Sequence, residues 1–170
     1  MSIPQPSTTR DGNDYTKAST QTVSLIDYQC VTSHGNAVVS DGTVQTAVTY
    51  SPGKAVLKPY GSNRHGLVHI PIHNPPEVLN KTMSLQNIAV SFDTAFGGTV
   101  ETVTLFYDST IVVGVNTEKK GQFHIDFTPK EAAKFAYPVT TGICITLDLK
   151  FPEYKSLVNL FSVTLVYKAI

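Results

Sequence analysis

The sequence has few charges and no tryptophan, and these absences exclude several classes of protein. Charged residues make up 15% of the 170 residues, against a typical value of about 25%. The 13 basic and 13 acidic side chains cancel and are dispersed along the chain, so nucleic acid and anionic membrane surfaces are not expected as partners. No apolar run approaches the roughly 20 residues of a membrane-spanning helix. The lack of tryptophan disfavours a sugar lectin, although eight tyrosines offer other rings for stacking.

Cysteine is almost absent as well. Cys30 and Cys144 are far apart, and each lies in a predicted strand, which favours buried free thiols in a reducing compartment over a disulfide. Residues 1–20 contain no apolar run of the roughly seven or more residues that a signal peptide needs. We therefore expect a cytoplasmic, and thus intracellular, protein.

The chain divides into two parts by composition. Residues 1–17 are rich in Ser, Thr, Pro, Asp and Asn, and such a segment buries too little apolar surface to offset its ordering entropy, which predicts a flexible arm. Residues 18–170 alternate short apolar stretches with turn residues, as sandwiches and barrels do. This part is predicted to be a single β-sandwich domain with a sizeable core.

Strict alternation of apolar and polar residues marks the strands. The clearest examples are the ranges 141–151, 121–127 and 158–169, and four weaker ones lie upstream. In the range 158–169, Phe161, Val163, Leu165 and Tyr167 are expected to face inward. The range 111–115 is apolar on both faces, which predicts a central buried strand. The cluster Glu118-Lys119-Lys120 is interpreted as a hairpin tip.

One short segment has a helical pattern. Thr128 is a capping residue, Pro129 occupies the first helical position, and Glu131 has the spacing of a capping box. The fold class is therefore all-β: an antiparallel two-sheet β-sandwich, jelly-roll-like, with about nine to eleven strands and one short helix.

Three histidines, His65, His69 and His73, recur at every fourth position. On a helix this spacing would indicate a metal site. Pro71 and the inward apolar residues around it indicate a strand instead, on which residues four apart are separated by about 13 Å. One ion cannot take two such ligands without a sharp bend, so no metal is expected.

Two other roles remain for His69 and His73. They can lie on the outward face of an edge strand, where Pro71 is tolerated because its missing donor faces no partner. They can also contribute to a polar ligand site, together with Gln122, His124 and Asp126, if the two strands are neighbours.

No motif assigns a reaction or a cofactor. The sequence has no Gly-x-Ser-x-Gly elbow and no glycine-rich phosphate loop, so neither hydrolase chemistry nor nucleotide binding is indicated, and no cofactor is expected. Asp93 and Asp108 lie at the ends of predicted strands. Each is expected to hydrogen-bond to the backbone of a turn, unless it is a general base in a pocket.

Three segments carry a resemblance to a known family: 67–76, 85–94 and 103–109, in which Leu67-Val68-His69-Ile70-Pro71-Ile72-His73 is the most distinctive run. Together these segments resemble the central block of a family of small microbial β-sandwich proteins of unassigned function. The resemblance implies a sandwich and carries over no catalytic residues.

Three hypotheses for function remain. The first is a binding module that holds a small molecule, a glycan or a protein partner through loops or an inter-sheet pocket. The second is a cofactor-free enzyme, an isomerase or cyclase, that shapes an apolar substrate in a pocket of the sandwich. The third is a homo-oligomer that assembles through an edge or a face. The candidate ligand-binding residues are Arg64, His65, His69, His73, Asp93, Tyr107, Asp108 and His124.

Overall fold

A computed structural model describes residues 28–74, 82–137 and 142–170. Twelve strands lie within these ranges: β1 (Tyr28–His34), β2 (Val39–Ser40), β3 (Thr46–Ser51), β4 (Lys54–Pro59), β5 (His65–Ile72), β6 (Met83–Ala95), β7 (Thr99–Tyr107), β8 (Thr110–Lys119), β9 (Gly121–Asp126), β10 (Ala136–Tyr137), β11 (Ile143–Lys150) and β12 (Leu157–Ala169). Two of them, β2 and β10, are only two residues long. The predicted arm, residues 1–17, lies outside the described residues, so the division into arm and domain stays a prediction.

The strands form two antiparallel sheets, which confirms the predicted two-sheet sandwich. The seven-stranded sheet is built on β6 and β12, which pair along almost their whole lengths. Beyond β6 lie β9 and β10, and beyond β12 lie β1 and β4, with β3 outside β4. The five-stranded sheet has the order β2-β5-β11-β7-β8. The jelly-roll-like connectivity stays a prediction.

Alternation along β11 explains how the two sheets pack together. Four apolar residues at alternate positions point into the core and are at most 4% exposed: Ile143, Ile145, Leu147 and Leu149. The positions between them face outward because successive side chains of a strand lie on opposite faces. Completely buried side chains of β12, such as Leu165 and Tyr167, belong to the same core.

The predicted helix is present and begins at the expected residues. Helix α1 spans Pro129–Ala132 and continues as a 3₁₀ turn over Ala133–Phe135. The Thr128 side chain accepts a hydrogen bond from the Glu131 amide, and the Glu131 carboxylate accepts one from the Thr128 amide. This reciprocal capping satisfies amides that would otherwise lack partners at the helix start. None of the described helices is long and apolar enough to cross a membrane.

Bulges account for two incorrect predictions. Strand β8 is not central: it lies at the end of its sheet, and Ile111 is 64% exposed. Its register against β7 shifts so that Leu105 faces Val113 and Phe106 faces Ile111. This leaves Val112 as an extra residue, so the apolar run reflects a bulge and not burial on both faces.

In β12, a similar shift at Phe161 leaves that residue half-buried while Leu160 and Val163 are both buried.

The cluster Glu118-Lys119-Lys120 is not a hairpin tip. Glu118 and Lys119 end β8, in the five-stranded sheet, and Lys120 leads into β9, in the seven-stranded sheet. Glu118 has a φ of 45°, a left-handed conformation that non-glycine residues seldom adopt. The charged residues therefore mark a corner at which the chain crosses from one sheet to the other.

The thiols are free, but they are not both buried as predicted. Cys30 is exposed on β1, whereas Cys144 is half-buried on the outward face of β11. The alternation of β11 explains this placement, since the even-numbered positions between its core residues point away from the core.

Gly35 provides a test of the packing between β12 and the turn that follows β1. A Cβ atom at Gly35 would overlap the carbonyl oxygen of Leu160, whereas one at Gly114 would meet nothing within 4 Å. We expect Gly35→Ala to lower the free energy of unfolding by about 2 kcal/mol. The matched Gly114→Ala should leave it unchanged or raise it by up to about 1 kcal/mol. Urea unfolding measures both, and equal effects of the two substitutions would contradict the close packing at Gly35.

Candidate functional site

The outward face of the five-stranded sheet brings together two groups of polar side chains. The first, which we call the relay, consists of Asp41, His69 and Thr146. The second, which we call the carboxylate cluster, consists of His65, Glu101 and Asp148. The relay depends on β5 and β11 lying side by side, and the carboxylate cluster depends on β5, β11 and β7 doing so.

The relay is a continuous chain of hydrogen bonds. His69 and Thr146 are directly opposite each other on β5 and β11, and the His69 Nδ1 atom lies 2.9 Å from the Thr146 Oγ1 atom. On the other side of the ring, Nε2 lies 2.9 Å from an oxygen of Asp41. Thr146 is 7% exposed, so its hydroxyl requires a partner, and the imidazole provides one.

Asp41 is held in place by the turn that follows β2. Its carboxylate accepts hydrogen bonds from the amide and hydroxyl of Thr43 and from the amide of Val44. Its own amide donates to the carbonyl of Leu67 on β5, at 2.9 Å. The Thr43 hydroxyl, then His69, then the two amides hold the pKa of Asp41 well below its usual value. Asp41 is therefore an ionised acceptor that fixes the orientation of the His69 ring.

This arrangement sets the direction of the hydrogen bonds. An ionised carboxylate only accepts, so Nε2 of His69 carries the proton that faces Asp41. In the neutral imidazole Nδ1 is then the acceptor, and the Thr146 hydroxyl donates to it. With a neutral imidazole, the two lone pairs of Thr146 Oγ1 are then available to accept a hydrogen bond from a ligand.

A pocket of about 380 Å³ adjoins the relay and is lined by His69, Phe106, Asp108, Ser109, Cys144 and Thr146. Phe106 and Cys144 provide apolar surface, and Asp108 and Ser109 stand at one end. Burial raises the pKa of the Cys144 thiol, so the thiol is neutral near pH 7 and acts as a small apolar group. Asp108, at the turn between β7 and β8, is fixed because its carboxylate accepts from the Gly142 amide at 2.7 Å.

The carboxylate cluster lies at the opposite end of the same face. An oxygen of Glu101 lies 3.5 Å from Nδ1 of His65, and the other oxygen lies 2.9 Å from the Lys150 ammonium. One ligand atom from each of His65, Glu101 and Asp148 lies within 4.8 Å of the others. Burial, and then the neighbouring Glu101 charge, raise the pKa of Asp148. The Glu101 carboxylate raises the pKa of Lys150.

The remaining predicted residues of the β5 region lie at its ends. Arg64 is exposed and precedes β5, where its carbonyl accepts from the Phe151 amide at 2.7 Å. His73 is exposed just beyond the end of β5. Tyr107 ends β7, and its hydroxyl lies 3.4 Å from that of the buried Tyr167. None of these three lines the pocket.

The suggested proximity of Gln122, His124 and Asp126 to the β5 histidines is wrong. Strand β9, which carries all three, pairs with β6 in the other sheet. There His124 lies 3.2 Å from Asp126, and both are largely exposed. Asp93 also lies in that sheet, where its carboxylate accepts from the Asn159 amide group.

Comparisons with known proteins assign no family to the chain. No protein-family model matches the sequence, and no curated protein matches it. Among solved structures, a CBM36-1 domain of a multidomain xylanase from the hindgut metagenome of Trinervitermes trinervoides matches with a TM-score of 0.44 and 11% identity, over 80% of this chain and 95% of that one. A carbohydrate-binding module CBM36 in complex with calcium and xylotriose matches with a TM-score of 0.36 and 16% identity, over 75% and 98%.

A third solved structure, the secreted serine protease VesC from Vibrio cholerae, matches with a TM-score of 0.35 and 8% identity, over 69% of this chain and 23% of that one. At these scores and identities the likeness does not extend to function. The function is therefore argued from the geometry of the site.

Because the pKa of Asp41 is lowered, the free energy of unfolding is expected to depend on pH through this residue. Because the folded-state pKa lies below the unfolded-state value, ionised Asp41 stabilises the fold above the unfolded-state pKa, and this contribution is lost as the pH falls through the folded-state pKa. We expect Asp41→Asn to be less stable than the wild type at about pH 7, with a deficit that shrinks below about pH 5. Urea unfolding across this range measures the difference.

Thr43→Val is the companion variant. It removes the hydroxyl that contributes most to the lowered pKa of Asp41, so it should reproduce part of the pH-dependent deficit. A deficit for Asp41→Asn that is constant from about pH 7 to about pH 3 would contradict the assignment of Asp41 as an ionised relay member.

Proposed function

We propose that this protein is a ligand-binding β-sandwich module, and that its site is the pocket beside the relay. The observation that carries the proposal is the buried Thr146 hydroxyl, which is oriented by His69 and, through it, by Asp41. Binding sites characteristically combine apolar walls with a few fixed polar groups. The pocket has both features on neighbouring strands of one sheet.

The lining predicts the chemistry of the ligand. Phe106 and Cys144 favour an apolar ring or chain, and the volume of about 380 Å³ suits a small molecule. Thr146 Oγ1 is oriented to accept a hydrogen bond, so the ligand presents a hydroxyl or an amine. An anion would meet the Asp108 carboxylate in the pocket and the Asp41 carboxylate behind His69. The ligand class is therefore an apolar molecule that is neutral or cationic and carries a hydrogen-bond donor.

Catalysis by a cofactor-free enzyme is the second candidate, and the relay is the observation that favours it. A carboxylate, an imidazole and a hydroxyl in series can transfer a proton to or from a bound molecule, as an isomerase requires. Both nitrogens of His69 are engaged, so Thr146 is the route by which the imidazole reaches the ligand. However, the Gly142 amide already donates a hydrogen bond to the Asp108 carboxylate. It is therefore not available to stabilise an oxyanion that develops during a reaction. Binding is therefore the function that the geometry supports best.

Three probes of similar size test the proposal: benzylamine, phenol and benzoate, which are cationic, neutral and anionic. We expect benzylamine and phenol to bind with a Kd of about 1 mM, a range typical of fragments. Benzoate should bind at least about tenfold more weakly because of the carboxylates. Ligand-observed NMR titration measures all three, and equal affinities would contradict the proposed ligand class.

Thr146→Val tests the role of the hydroxyl. The substitution keeps the shape of the side chain but removes the acceptor and leaves Nδ1 of His69 without its partner, so phenol affinity should fall about tenfold. The matched control is Thr104→Val, because Thr104 is directly opposite Thr146 on β7 but does not line the pocket. Unchanged phenol affinity in Thr146→Val, or an equal loss in both variants, would refute the proposal.

A further inference from the structure

We propose that His65, Glu101 and Asp148 bind a divalent first-row transition-metal ion on the outward face of the five-stranded sheet. This site is separate from the pocket: Asp148 is two residues beyond Thr146 on β11, about 7 Å along the strand. The proposal does not depend on the identity of the pocket ligand.

Strand register brings the three ligands together. His65 is opposite Lys150 on β11, two residues from Asp148 on the same face. On the other side of β11, the register with β7 shifts between Asp148 and Leu149, so that Asp148 faces Thr102 and Leu149 faces Val100. Glu101 is the extra residue of this bulge, and it lies outward with Thr102 between the buried Val100 and Val103. Bulges commonly re-aim a side chain in this way at functional sites.

The donor set indicates the class of metal. One imidazole nitrogen and two carboxylate oxygens suit Zn²⁺, Mn²⁺ or Fe²⁺, whereas Ca²⁺ and Mg²⁺ prefer oxygen ligands alone. Ligand atoms that all lie within 4.8 Å of one another are close to the separations that metal bonds of about 2.0–2.2 Å require. His65 is about half exposed, which leaves room for water to fill the remaining positions of the ion.

The charges in the cluster favour a cation. Among the described residues, Glu101 contacts both His65 and Lys150, whereas Asp148 has no ion pair within 4.0 Å. Its half-buried carboxylate stands beside the Glu101 carboxylate, and His65, the basic group that acts on it, is itself a proposed ligand. A divalent ion bridging Asp148 and Glu101 would remove this repulsion.

Lys150 is compatible with the ion and has a defined role. It contacts one oxygen of Glu101, while the other oxygen faces His65. The ammonium can therefore orient the carboxylate from outside while the inner oxygen binds the metal. Metal-binding carboxylates are typically held by such outer partners.

The test is isothermal titration of the full, chelator-treated chain with ZnCl₂. We expect one ion per chain with a Kd in the micromolar range, and a loss of about tenfold or more in His65→Ala and in Asp148→Asn. The controls are His124→Ala, which removes an exposed histidine that also sits beside a carboxylate, and Cys30→Ser, which removes the exposed thiol. Both controls should bind as the wild type does.

Three results would overturn the proposal. The first is no saturable binding by the wild type up to about 1 mM Zn²⁺, a concentration at which even millimolar sites would be detected. The second is wild-type affinity in His65→Ala. The third is a loss in His124→Ala or Cys30→Ser equal to that in His65→Ala. His65 is exposed, so its variant is expected to fold, and thermal unfolding without metal verifies this for each variant.

Discussion

The register of β11 against its two neighbours is the constraint on which the rest of the structure depends. Four apolar side chains on one face of β11 are buried in the core, and a slip of one residue would expose all of them. That slip would also turn Thr146 and Asp148 inward. The burial that stabilises the sandwich therefore also fixes which polar residues of β5, β11 and β7 become neighbours on the outward face.

Both proposed sites depend on this register, and each also depends on one local structural feature. In the relay, this feature is the turn after β2, whose amides and hydroxyl hold Asp41 and thereby His69. In the carboxylate cluster, it is the bulge of β7 that turns Glu101 outward. A side chain that is already held in place loses little conformational freedom when a ligand binds, so both features favour ligand binding more than a flexible polar surface would.

Much of the fold could be predicted because it depends on local patterns. Period-two alternation located β9, β11 and β12, and a capping box located α1. The predictions failed where a single extra residue changed the phase, at Val112 and Phe161, because a bulge has no fixed sequence signal. They also failed where the chain changed sheets, at 118–120, since charged turn residues occur equally in hairpins and in sheet-crossing corners.

The candidate site was only partly predictable. The sequence singled out His65, His69 and Asp108, because histidines and turn carboxylates are conspicuous. It did not indicate Asp41, Thr146, Glu101 or Asp148 as partners, since their proximity depends on strand order and not on spacing along the chain. The metal interpretation was rejected for histidines along one strand, and that argument still holds. The cluster that we propose instead takes its ligands from three adjacent strands.

We propose that the outward face of the five-stranded sheet is the binding surface of this protein. Backbone-assigned ¹H–¹⁵N spectra recorded during a titration with benzylamine test this placement. We expect the largest shift changes to fall on His69, Phe106 and Thr146 and on the neighbouring positions of β5, β7 and β11. Changes concentrated on β6, β9 and β12, in the other sheet, would contradict it.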